Sequence, residues 1–219
     1  MFALETKNNK IVSIVYMSTK LNIIEKADLL FRTYGIRSVT VDDICNACGI
    51  SKKTIYKHYS DKYALANKSL EYHYDKLFKQ INSIVENSSD AIETFFKISM
   101  HFRETLNDIT PSFVHDLKKF HPDLYRIHQK SKEKLFVKTL QNVLRNGKDE
   151  GLIRSEINED IISKLRIEMI EAGFNQDIFP HKDYNYMNIQ TISFDLFLRG
   201  IVTEKGLYIY EKTLTTLKL

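Results

Sequence analysis

The chain has 219 residues, 43% of them apolar and 27% charged, with three prolines, seven glycines, two cysteines and no tryptophan. That size and balance can bury a core and exclude collagen-like, low-complexity and disordered classes. Two cysteines exclude a disulfide scaffold and favour a reducing, cytoplasmic compartment, and no apolar run reaches the ~18 residues of a membrane span.

Residues 1–19 read as an N-terminal extension. Its apolar stretch, Ile11 to Met17, lacks the small-residue cleavage site of a signal peptide. It is expected to be a short arm on the domain, or a leader before a true start at Met17. A helical pattern then begins, with Leu21, Ile24, Ala27, Leu30 and Phe31 at spacings of three and four, ending at Tyr34-Gly35. Thr40 followed by Asp43 has the form of a capping box for a second, short helix, whose buried stripe is expected to be Ile44, Ala47 and Cys48. Gly49-Ile50-Ser51 reads as a tight turn, with Ser51 as N-cap of a third helix over 52–59. Eight residues are not stable alone, so Ile50, Ile55 and Tyr59 must lean on the first two helices.

Ser60-Asp61 caps a long helix to about residue 86. Further helices are expected over 90–107, 111–120, 123–146, 156–174 and 186–211, broken by Pro111, Pro122, the pair Gly147 and Gly151, and Gly173 with Pro180. No alternating stretch is long enough for a sheet, so the expected class is all-α. The organisation has three parts: the extension at 1–19, a three-helix helix-turn-helix domain at 20–64, and a larger helical domain at 65–219 for ligand binding and dimerisation.

The net charge of +4 does not identify a partner, but its distribution helps. Lys52, Lys53, Lys57 and Lys62 crowd into one short segment that holds a single acid, Asp61. The turn at Gly49 suits the steep angle of a helix-turn-helix unit. The helix after it carries Lys52, Lys53, Thr54, Tyr56, Lys57 and His58, donors and cations able to face a DNA groove while Ile55 and Tyr59 face inward. The major groove admits one helix, whose N-terminal part reaches base edges.

The ordered pattern Ala27-x-x-Leu30-Phe31-x-x-Tyr34-Gly35, Val39-Thr40-Val41-x-x-Ile44, then Ala47-x-Gly49-Ile50-Ser51-x-x-Thr54-Ile55-Tyr56-x-His58-Tyr59-x-x-Lys62-x-x-Leu65 resembles the N-terminal domain of TetR-family transcriptional regulators. The resemblance implies that Thr40 contacts a phosphate, with Ser51 at the head of the reading helix. It implies that Lys52, Lys53 and Thr54 lie in the major groove, that Tyr56, Lys57 and His58 touch phosphates or base edges, and that Lys62 holds a phosphate. At Lys53 the chain departs from the family, which often has glycine or a small residue there.

The resemblance also implies a homodimer on a palindromic double-stranded operator, paired through the last two long helices. Ile157, Ile161, Leu165 and Met169 form one candidate stripe, and Ile189, Ile192, Leu196 and Phe197 another. It further implies a pocket for an unidentified small-molecule effector, with Phe95, Phe96, Phe102, Phe113, Phe120, Tyr125, Phe136 and Phe174 as candidate linings. Cys45-Asn46-Ala47-Cys48 has redox or metal spacing but no second ligand pair nearby, so neither metal nor cofactor is expected. The histidines are scattered, and no phosphate loop or nucleophile elbow is present. The reading is a one-component repressor, not an enzyme and not bound to a membrane. The alternative is an architectural or partner-binding DNA protein on the same fold without a small-molecule switch.

Overall fold

The computed structural model describes the backbone of residues 2–106, 111–175, 177–180 and 182–217, and within it the side chains of 16–103, 113–114, 116–175, 177–180 and 182–215. Among these residues the chain is all-α. Its helices are α1 (Phe2–Tyr34), α2 (Val41–Cys48), α3 (Lys52–His58), α4 (Lys62–Glu86), α5 (Ala91–Leu106), α6 (Pro111–Phe120), α7 (Pro122–Lys132), α8 (Lys138–Asp149), α9 (Glu159–Ala172), α10 (Tyr186–Ile201) and α11 (Glu204–Leu217).

Three expectations change. Helix α1 runs unbroken from Phe2, so the boundary expected between residues 19 and 20 falls inside it; the side chains of Ile11 to Val15 lie outside the described residues. The helix expected over 123–146 is continuous, but its middle, Glu133–Val137, widens into a π-turn between α7 and α8. The helix expected over 186–211 is two helices. Ile153 makes an antiparallel bridge to Val202, the Arg154 amide donates to the Ile201 carbonyl at 3.0 Å, and the Thr203 amide donates to that of Leu152 at 2.9 Å. This short pairing takes backbone groups that a continuing helix would need.

The chain forms two compact units, Met1–Lys76 with Asp108–Arg126, and Leu77–Asn107 with Ile127–Leu219. In the first, Ile23, Ala27 and Phe31 of α1 are buried together with Ile44, Ile55, Leu65, Leu117 and Leu124. Its core therefore includes α6 and the start of α7, which the sequence reading placed in the other domain. The Arg37 amide donates to Asp116 at 3.0 Å, and the Arg37 guanidinium sits 4.8 Å over the Phe120 ring. Asp28, on α1, is buried in ion pairs with Arg32 at 3.1 Å and His73 of α4 at 3.8 Å. Burial alone would raise the Asp28 carboxyl, but the hydrogen bond and charge of His73, followed by Arg32, hold it below the usual range.

In the second unit, aromatic rings interlock edge to face. Phe95 meets Phe197 at 5.8 Å, Phe96 meets Phe194 at 6.3 Å, and Phe194 meets Tyr210 at 6.2 Å. Gly147 does not end a helix as expected. It lies inside α8, where a Cβ would come within 2.5 Å of Ile153 and 2.9 Å of Ala91. Gly151, at φ 69°, is the residue that terminates this segment.

Gly147→Ala is therefore expected to lower stability by about 1–3 kcal/mol through overpacking, although alanine is the better helix former; thermal denaturation measures it. Asp28→Asn is expected to destabilise the first unit at pH 7. Because the folded carboxyl titrates below its unfolded value, the difference from wild type narrows as pH falls below about 4. A urea titration series across pH checks this, and a difference that stays constant down to pH 2.5 counts against it.

Candidate functional site

The first site is built on α2, α3 and the turn between them. Thr40 is the N-cap of α2: its hydroxyl accepts from the Asp43 amide at 3.2 Å, and the Asp43 carboxylate accepts from the Thr40 amide at 2.8 Å. Asp43 also accepts a hydrogen bond from the Thr40 hydroxyl at 2.7 Å, and these bonds hold its carboxyl below the usual range. Gly49 adopts φ 65°, with its amide on the Asn46 and Cys45 carbonyls, so the turn needs the left-handed freedom of glycine. Ser51 then caps α3, accepting from the Thr54 amide at 3.2 Å, and the two hydroxyls lie 3.1 Å apart.

Ile55 and Tyr59 are buried as expected. Tyr59 donates its hydroxyl to the Lys20 carbonyl at 3.4 Å, tying the end of α3 to α1. Burial pushes that phenol up to about 12, so it remains a donor at neutral pH. Lys52, Lys53, Tyr56 and Lys57 are exposed along the helix, and Thr54 is half-buried beside Ser51. Lys52 lies 2.9 Å from Asp42 of α2, an exposed pair that costs little to open when a phosphate competes.

Two candidates stand apart from this row. His58 is half-buried with its ring 4.3 Å from that of Tyr16 on α1, its Nδ1 is buried without a hydrogen-bond partner, and burial lowers its basicity. Lys62 folds its ammonium over the preceding loop, donating to the Val39 carbonyl at 2.7 Å and the Arg37 carbonyl at 3.4 Å. A cation at a helix N-terminus faces the unfavourable end of the dipole, and these two carbonyls offset that. Lys62 thus anchors the strand of chain that ends in the Thr40 cap.

The buried stripe of α2 is Ile44 and Cys45, with Cys48 half-buried and Ala47 exposed. Both thiols are free, and burial pushes both up, away from thiolate character. Among the described residues no group of three or more metal-ligating side chains occurs.

The second site is a recess within the second unit. A volume of ≈ 410 Å³ is lined by Phe95, Phe102 and Phe136 from the aromatic candidates, with Ile81, Leu140, Ile167 and Phe194. Phe136 comes from the π-turn and meets Phe102 edge to face at 4.9 Å; such turns often occur at functional sites. The other candidates are placed elsewhere. Phe96 is core, Phe174 stacks on Tyr186 at 4.1 Å, and Phe113, Phe120 and Tyr125 belong to the first unit. The recess also holds a charged residue absent from the candidates, Arg166. Its signal was positional: Ser163, Arg166 and Ile167 form the buried stripe of α9, so a charged residue occupies a core position.

Helices α9 and α10 run antiparallel, since Arg166 bonds Ser193 at 2.8 Å while Gln190 donates to the Ile170 carbonyl at 3.1 Å. Ile161 and Leu165 on α9 and Ile192 and Leu196 on α10 are each more than half exposed. Met169 is half-buried against the core, as Ile189 is half-buried on α10, whereas Ile157 and Phe197 lie inside the core.

Residues 23–68 match the family described as bacterial regulatory proteins, tetR family. That segment is a TetR-family N-terminal domain. Across 153 residues it is 24% identical to the transcriptional repressor KstR2 of Mycobacterium tuberculosis, covering 68% of this chain and 76% of that one. A solved structure of KstR2 from the same organism superposes with TM-score 0.58 at 20% identity, over 84% of this chain and 95% of that one. A transcriptional regulator from Saccharomonospora viridis, solved with choline, superposes with TM-score 0.72 at 17% identity, over 86% and 100%. The fold is therefore the TetR fold, an N-terminal helix-turn-helix followed by a larger helical region.

Lys53→Ala and Lys57→Ala are each expected to reduce the slope of log affinity against log salt by about one phosphate's worth on a random-sequence duplex. Lys62→Met is expected to lower the melting temperature and weaken binding with the slope preserved, because its ammonium serves the loop before α2. Fluorescence anisotropy across a salt series separates the two behaviours.

Proposed function

We propose that this TetR-family regulator is a cytoplasmic homodimeric repressor that reads a palindromic operator and responds to a small molecule held in the recess of its second unit. The observation that carries this reading is the division of α3. Its apolar residues are buried, while Lys52, Lys53, Tyr56 and Lys57 remain exposed on a helix capped at the end that enters a groove. In this reading Thr40, Ser51 and Thr54 approach the DNA at the two helix starts, while Lys62 acts through the loop whose carbonyls it holds. His58 acts through Tyr16, fixing the end of α3 against α1.

One such head reads a half-site, so specificity needs two. The exposed residues Ile161, Leu165, Ile192 and Leu196 support pairing of two copies through α9 and α10, since apolar side chains on adjoining helices make a self-complementary face across a two-fold axis. The recess supports the effector. Its lining is mostly apolar, as in small-molecule sites. The choline complex of the Saccharomonospora viridis relative supports the same reading, in that a protein of this fold holds a small organic molecule. For the ligand to act, it must favour one spacing of the two heads over the other. The repressor sense follows KstR2, and no catalytic constellation is assigned.

The test is retention of sheared genomic DNA by the purified protein at near-physiological salt. A few fragments sharing a short palindrome are the expected result; uniform retention of all fragments would refute sequence-specific reading. Leu196→Glu is expected to give a monomer by analytical ultracentrifugation. Its affinity for a two-half-site duplex should fall by about 10²–10⁴, with half-site affinity little changed.

A further inference from the structure

Among the described residues, the charged end of the recess has no counter-charge. Arg166 is 5% exposed. It lies 5.6 Å from the Phe194 ring and 5.4 Å from the Phe197 ring, and its one hydrogen bond among the described residues goes to Ser193. Four of its five N–H donors therefore have no acceptor there. Beside it a smaller volume of ≈ 250 Å³ adds Arg103, Tyr186 and Gln190 to the wall, and shares Ser99, Phe102, Arg166 and Ile170 with the larger one.

Within that smaller chamber the Arg103 Nε and the Tyr186 hydroxyl are also buried without a hydrogen-bond partner. No described carboxylate pairs with either guanidinium, whereas Asp195 and Glu211 pair with Arg199. Burial lowers the Arg166 guanidinium to about 10, the Arg103 charge adding to the effect, and it still stays charged at neutral pH. Burial raises the Tyr186 phenol, which keeps its proton.

Two mutually repelling cations and a phenol donor, gathered in one enclosed space, leave a desolvation cost that an anion would offset. We infer that the effector is an amphipathic carboxylate, its anionic group held by Arg166, Arg103 and the Tyr186 hydroxyl, and its apolar body lying against Phe95, Phe102 and Phe136. This deepens the proposed small-molecule response and rests on it for regulation, but the binding site can be tested alone. The planar guanidinium matches a carboxylate through two parallel N–H donors. The free room beside these rings is narrow, which suits a slim medium-chain or monocyclic carboxylate better than a polycyclic one. A quaternary ammonium is disfavoured by the same two charges.

The experiment titrates the full chain by calorimetry with sodium octanoate and sodium phenylacetate. 1-Octanol, choline chloride and inorganic phosphate serve as neutral, cationic and non-amphipathic probes. The carboxylates are expected to bind saturably, about tenfold or more tighter than 1-octanol, with no binding of choline or phosphate. Arg166→Met and Arg103→Met are each expected to weaken octanoate about tenfold or more while leaving 1-octanol unchanged, and Arg166→Lys to recover part of the loss. If Arg166→Met does not fold, Arg103→Met and Tyr186→Phe decide the matter.

Equal binding of octanoate and 1-octanol, octanoate binding indifferent to both arginines, or phosphate binding as tight as octanoate each overturns the proposal. Anisotropy on retained operator DNA keeps the two readings apart. Octanoate that binds through Arg166 without changing DNA affinity upholds the site and refutes the switch. Specific DNA binding with no carboxylate binding refutes the site and leaves the regulator standing.

Discussion

A helix of seven residues cannot hold itself together in water, and everything that α3 does depends on burial supplied by its neighbours. Its nucleus costs more backbone entropy than its few hydrogen bonds return. Ile55 and Tyr59 make up the difference by entering a core formed by α1, α2, α4, α6 and α7, and each such side chain contributes about 1.5–3 kcal/mol. The caps at Thr40 and Ser51, the left-handed turn at Gly49 and the Lys62 clamp on the Val39 carbonyl then fix where the helix points. The exposed lysines can be polar and crowded because they are not asked to stabilise anything.

Local chemistry made this head legible in the sequence. Capping boxes, a glycine turn and an i, i+3, i+4 stripe are short-range signals, and the bounds of α2 and α3 followed from them within a residue. What was not legible depended on distant partners. Nothing near His58 says that Tyr16 will cover it, and nothing near Lys62 says that two carbonyls more than twenty residues earlier will take its ammonium. On α2, Cys45 is buried and Ala47 exposed, because the face turned to the core carries Ile44, Cys45 and Cys48, which span about 100° of the helix, and leaves Ala47 outside it. Gly147 looked like a stop because glycine often is one; its actual reason is the close approach of Ile153 and Ala91. The split between α10 and α11 came from a single bridge to Ile153, an interaction across some fifty residues.

The recess carries the same lesson for function. Aromatic residues mark only part of the wall, because phenylalanine also fills the cores, and three of the eight candidates lie in a different unit. A charged residue on a buried stripe is rarer and carries more information. Most buried charges are matched by a partner, as Asp28 is by Arg32 and His73. Where the match is missing among the described residues, as at Arg166, the folded chain holds electrostatic free energy that a ligand can release. The π-turn at Glu133–Val137 places Phe136 in that same wall.

Tyr210 has a consequence for the order in which the protein is made. It is almost wholly buried, meets Phe194 edge to face and donates its hydroxyl to Asp195 at 3.0 Å. The second unit's core therefore stays open until α11 has left the ribosome. The reading head is complete once residue 126 is available, roughly 5–20 s of synthesis earlier at about 5–20 residues per second. During that interval a nascent chain can carry a finished first unit without a finished second one.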